Sequence, residues 1–190
     1  MSGYTQTELD GIQATWGLRF PPDLIALYRE RRRVIDDPRF GSLDWLGADN
    51  SKIQSALDWP LQGFLFDIGN GLWWPEWGEM PEDIPAREAR LREIFAAAPK
   101  LIPICGHRYL PEAPHEAGNP VFSVYQMDVI VYGANLAHYV MRENRSEPVF
   151  NEEWPAIKQV PFWSRAVVFN NARFANGGGF PFFNKDGILP

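Results

Sequence analysis

The segment Leu72-Trp73-Trp74-Pro75-Glu76-Trp77-Gly78 constrains this chain more than any other. It sets three of the eight tryptophans on a run interrupted by proline and closed by glycine, without the period of a helix or a strand. An indole is large and rigid and its one N–H needs a partner. Three of them on one bend therefore either seal a junction over a core or face something that binds. Sealing is the commoner use, and both uses need a core broad enough to back the bend. At 190 residues, 45% hydrophobic and 14% aromatic, the chain can build such a core within one domain.

Local signals place the elements around the bend. Thr5 with Glu8 has the form of a capping box, and Leu9, Ile12 and Trp16 follow at helical spacing before Gly17. Phe20-Pro21-Pro22-Asp23 opens a second helix with Leu24, Leu27 and Tyr28 on one face. Arg29, Arg31, Arg32 and Arg33 lie at its end, where cations complement the helix dipole. A third helix, capped by Ser51, carries Ile53 and Leu57 and is expected to break at Trp59-Pro60, ahead of Phe64, Phe66 and Ile68.

Pro81-Glu82-Asp83 begins the clearest helix, with Ile84, Leu91, Ile94 and Phe95 opposing Arg87, Glu88, Arg90, Arg92 and Glu93, and Pro99 stops it. Leu101 to Cys105, Val121 to Tyr125 and Val129 to Tyr132 are β-type runs. Asn135 caps a helix through Leu136, Tyr139 and Val140, and Asn151-Glu152-Glu153 begins a segment through Trp154, Ile157 and Val160 up to Pro161. Helices on either side of a block of strands, without strict alternation, predict an α+β fold with a mostly antiparallel sheet. Residues 1–168 read as the domain. Residues 169–190, with Asn176-Gly177-Gly178-Gly179-Phe180-Pro181, read as an irregular C-terminal tail.

Charge and chemistry exclude several functions. With 24 acidic and 18 basic residues the net charge is -6, which disfavours nucleic acid and favours a basic protein partner. The four arginines are one cluster in an acidic chain without interleaved aromatics, so they read as a helix end and not as a phosphate-binding patch. No stretch is apolar for long enough to span a membrane, and the N-terminus lacks a charged region followed by an apolar one. With Cys105 as the single cysteine, the expected compartment is the cytoplasm.

Cys105, His107 and His115, with Glu112 or Glu116, match no zinc spacing, and Cys105 continues an apolar run, as a small buried side chain does. No lysine-serine pair follows the glycines at 177–179, and Glu76/Glu79 and Glu152/Glu153 read as acids at helix starts. The expectation is a non-enzyme with no catalytic residue, cofactor or metal. His107 and Arg108, with Asp128 across the sheet and Tyr125 nearby, are read as a charged network that fixes loop geometry or as the lining of a small-ligand pocket. The expected partner surface is acidic with aromatic anchors: Trp73, Trp74, Glu76, Trp77, Glu79, Glu82 and Asp83.

Three blocks carry a family resemblance. The first is Leu18-Arg19-Phe20-Pro21-Pro22-Asp23-Leu24-Ile25-Ala26-Leu27-Tyr28, and the second is Trp73-Trp74-Pro75-Glu76-Trp77-Gly78. The third runs from Leu101 to Pro111, then from Gly118 to Tyr125 and from Asp128 to Gly133. In order and spacing they resemble the SUKH superfamily, which includes the fungal regulator of cell-wall synthesis and many bacterial immunity proteins. The resemblance covers roughly residues 5–168. It implies helices packed on a curved, mostly antiparallel sheet, and a role in binding other proteins. Bacterial members are thought to neutralise toxins, often nucleases or deaminases, by direct contact, and the family brings no catalytic residues to this chain. The expected function is therefore an immunity-type binding module. The alternatives are an intracellular regulator or scaffold linked to cell-wall synthesis, and a small-ligand-binding protein using His107, Arg108 and Asp128.

Overall fold

The computed structural model describes residues 3–36, 41–145 and 153–175. Among these, six α-helices accompany one four-stranded sheet, so the fold class is α+β. The helices are α1 (Gln6–Trp16), α2 (Pro22–Glu30), α3 (Asn50–Gly69), α4 (Ile84–Ala97), α5 (Leu136–Glu143) and α6 (Trp163–Ala175). The strands β1 (Leu101–Cys105), β2 (Arg108–Pro111), β3 (Val121–Tyr125) and β4 (Asp128–Gly133) form an antiparallel meander in the order β1-β2-β3-β4.

Two caps read from the sequence, Thr5 and Asn135, stand where expected. Thr5 Oγ1 accepts from the Glu8 amide and Glu8 returns the bond to the Thr5 amide at 2.7 Å, an arrangement worth about 1 kcal/mol. Asp83 caps α4 and Asn135 caps α5.

Consecutive strand residues point to opposite faces, and the sheet is covered on both. One cluster joins Leu9, Leu24, Tyr28, Ile102, Ile104 and Tyr139, from α1, α2, β1 and α5. The other joins Phe64, Leu91, Tyr109, Phe122, Val124, Val129 and Trp163, from α3, α4, α6 and the intervening strands. Both clusters share the one sheet, which makes the described residues one domain. No helix among them is long and apolar enough to cross a membrane.

Five local expectations are corrected. Helix α3 does not break at Trp59-Pro60; it runs unbroken over 20 residues with Pro60 inside and Asp49, not Ser51, as its cap. Proline has no N–H to donate to the carbonyl four residues back. The Tyr109 hydroxyl, from β2, fills that gap by donating to the Ala56 carbonyl at 2.9 Å. Arg108–Pro111, absent from the β-type runs expected of the sequence, is strand β2, since Gly106 at φ 54° lets the chain turn back directly after β1.

The segment 153–160 is not helical, and Pro155 and Pro161 deprive it of donors. The helix begins only at Trp163 and continues to Ala175, so residues 169–175 are helical and not irregular; residues 176–190, including the glycine run, lie outside the described residues.

Gly63 positions the site side of α3. A side chain there would meet the Gln126 backbone at 2.8 Å, so glycine lets the β3–β4 turn lie directly on the helix. Asp67, one turn further on, accepts from the Met127 amide at 2.8 Å and holds that turn.

Candidate functional site

The tryptophan bend forms for local reasons. Pro75 presets a single 3-10 turn, Pro75–Trp77, in which the Trp77 amide donates to the Trp74 carbonyl at 2.9 Å. Gly78 follows at φ 93° and ψ -164°, a conformation essentially reserved for glycine. The Trp73 indole N–H closes the bend onto the Gly78 carbonyl at 2.9 Å. Arg87 of α4 ties down the next segment, donating to the carbonyls of Pro81 at 2.7 Å and Glu82 at 3.0 Å.

Tertiary packing separates the seven residues expected to form a partner surface. Trp74 and Trp77 are only 5% and 8% exposed, so they are not surface anchors: their rings seal the core under the bend. Trp77 faces Phe64 with ring centroids 6.4 Å apart, and Trp74 stacks on Phe169 of α6 at 5.2 Å. Trp73 is half-buried, while Glu76, Glu79, Glu82 and Asp83 are exposed. Glu76 forms an ion pair with Arg165 of α6, and Asp83 spends one carboxylate oxygen on the Ala86 amide at 2.8 Å.

Between the bend and α6 lies an open groove of about 700 Å³. Trp73, Trp74 and Phe169 line it with apolar surface, Val168 is 66% exposed at it, and Glu76 and Arg165 flank it. The α6 residues were missed in the sequence. Their one signal was the helical spacing of Trp163, Val167 and Asn170, which the reading of 169 onward as tail cut short.

The second expected group does not converge. Arg108 donates to Ser123 Oγ at 2.7 Å and its guanidinium lies 3.6 Å from the centre of the Tyr132 ring. Asp128 instead accepts from Asn170 of α6 at 2.8 Å. Burial raises its pKa, with Asn170, Arg173 and Arg108 opposing the shift. His107 sits on the β1–β2 turn, its ring 6.0 Å from that of Tyr125. Desolvation, then the neighbouring Arg108 charge, lowers its pKa to about 4, so it is neutral at physiological pH. A shallow pocket of about 370 Å³ is lined by His107 and Tyr125 with Trp59 and Tyr109, and Arg108 and Asp128 do not line it.

The residues weighed for zinc serve separate ends. Cys105 is buried, His115 meets the Phe20 carbonyl at 3.1 Å, Glu112 accepts from the Arg19 amide and Glu116 pairs with Lys158. No group of three or more His, Cys, Asp or Glu side chains among the described residues is arranged to hold a metal ion. No protein-family model, curated protein or solved structure matches this chain.

Proposed function

We propose that this chain is a cytoplasmic, non-enzymatic protein-binding module of the SUKH type, which neutralises a toxin by direct contact. The observation that carries the reading is the groove beside the tryptophan bend. It combines exposed aliphatic and aromatic surface with charged side chains at Glu76, Arg165 and Arg173, the mixture of apolar centre and charged rim that suits a protein interface, and Glu79 and Glu82 are exposed on the segment that follows the bend. In this version Val168, Trp73 and Phe169 supply the contact, and the buried Trp74 and Trp77 hold its shape. A net charge of -6 favours a basic partner such as a nuclease or deaminase, by speeding encounter.

The test identifies the genes that flank this one and co-expresses in bacteria any toxin among them with this chain; flanking genes without a toxin count against the immunity reading. Wild-type chain restores growth, Val168→Asp abolishes the rescue, and Glu79→Lys with Glu82→Lys weakens it without lowering thermal stability. Rescue that survives all three substitutions defeats the groove as the contact surface, and no rescue by wild type defeats the immunity reading.

A further inference from the structure

A second concavity lies away from the tryptophan bend, where α1, α3 and α4 meet the start of β1. It encloses about 620 Å³, within the range of small-molecule sites, which run from about 300 to 1,000 Å³. Trp16, Leu57, Leu61 and Phe95 line it with apolar surface. Trp163 also lines it, but its indole N–H is already spent on the Pro99 carbonyl at 2.7 Å. The charged contribution is mainly cationic. Lys100 and Arg92 both line the cleft, and neither is well neutralised. Among the described residues no carboxylate lies within ion-pair distance of Lys100, whose ammonium uses one of three protons on the Gly17 carbonyl at 2.7 Å. Among the described residues Arg92 reaches only Glu88, at 4.0 Å.

The one carboxylate in the lining, Asp58, accepts from Gln54 of its own helix at 2.9 Å. Two cations beside an apolar cleft, in a chain whose net charge is -6, mark a local exception to its acidic character.

We infer that this cleft binds an amphipathic organic acid, with its anionic group on Lys100 and Arg92 and its apolar body against Trp16, Leu57, Leu61 and Phe95. Charge complementarity selects the anion, and removal of the apolar body from water supplies the affinity. The site is independent of the groove beside the tryptophan bend, so its failure leaves that reading intact.

The test is calorimetric titration of the full chain with decanoate, below its aggregation concentration, beside decan-1-ol as the neutral match. Decanoate is expected to bind saturably at one site and more tightly than the alcohol. Lys100→Gln weakens it about tenfold, the scale of one lost hydrogen bond to a charged group. Lys100→Arg retains binding, and Asp58→Asn tightens it by removing a like charge. Absence of decanoate binding, equal binding of the alcohol, or Lys100→Gln without effect overturns the proposal. If Lys100→Gln fails to fold because Gly17 loses its partner, the alcohol comparison and Asp58→Asn decide: tightening supports the site and unchanged affinity rejects it.

Discussion

Tyr109→Phe tests how a proline is accommodated inside α3. The substitution keeps the ring in the core and removes only the hydroxyl that donates to the Ala56 carbonyl at 2.9 Å. That carbonyl has no helical donor, because residue 60 is proline, so the loss leaves it unpaired in a part-buried site. Such a group costs about 1–3 kcal/mol, and partial access to water places this one in the lower half of that range. For a chain of this size the expected fall in Tm is roughly 2–4 °C per kcal/mol. The decisive measurement is a double-mutant cycle by urea unfolding. Pro60→Ala returns an amide N–H to the Ala56 carbonyl, so Tyr109→Phe in that background should cost less than about 0.5 kcal/mol, a coupling of about 1 kcal/mol. Whatever Pro60→Ala does to the unfolded chain cancels in the cycle. A coupling within about 0.3 kcal/mol of zero refutes the account, because Tyr109 would then stabilise the protein through its ring alone.

Trp74→Ala should destabilise the protein by about 3–5 kcal/mol, the cost of deleting a large buried ring, and near-neutral stability by urea unfolding would return Trp74 to the surface. Gln126, at φ 58°, holds a left-handed conformation that side chains disfavour, so Gln126→Gly should stabilise by about 1 kcal/mol; destabilisation in urea would show that its side chain matters more than its backbone. The His107 ring resonance should titrate near pH 4. Its folded pKa lies below the unfolded value of 6.5, so the unfolded state binds more protons and stability falls as pH drops from about 6.5 through about 4. His107→Gln should flatten that acid arm, and a slope unchanged by the substitution contradicts the shift.

Two helix starts were legible because capping is local: the Thr5 and Asn135 side chains each accept from a backbone amide three residues on, within reach of any sequence window. Strands β1, β3 and β4 were legible as short apolar runs, since covering both faces of the sheet leaves little polar alternation. The proline in α3 misled, because the group that compensates it is a tyrosine 49 positions away, with Tyr109 bonded to the residue-56 carbonyl of the Pro60-bearing helix. Segment 153–160 misled in the opposite direction, its apolar spacing imitating a helix that its prolines do not allow. Of the site, the bend itself was readable from Pro75 and Gly78, while the direction of its rings was not. Asp128 was matched to Arg108 by charge, yet its hydrogen-bonding partner is Asn170, on a helix assigned to the tail.

By itself the amino-acid order determined the α+β class, the caps at Thr5 and Asn135 and the tryptophan bend, since each depends on neighbours along the chain or on which residues are apolar. Tertiary structure alone decided that Trp74 and Trp77 turn inward, that Val168 and Phe169 complete a groove with Trp73, and that Lys100 and Arg92 face one cleft. Those outcomes depend on which helix packs over which strand. Burial depends on the whole surrounding surface, and the same indole is a core residue or a contact residue according to whether α6 lies above it.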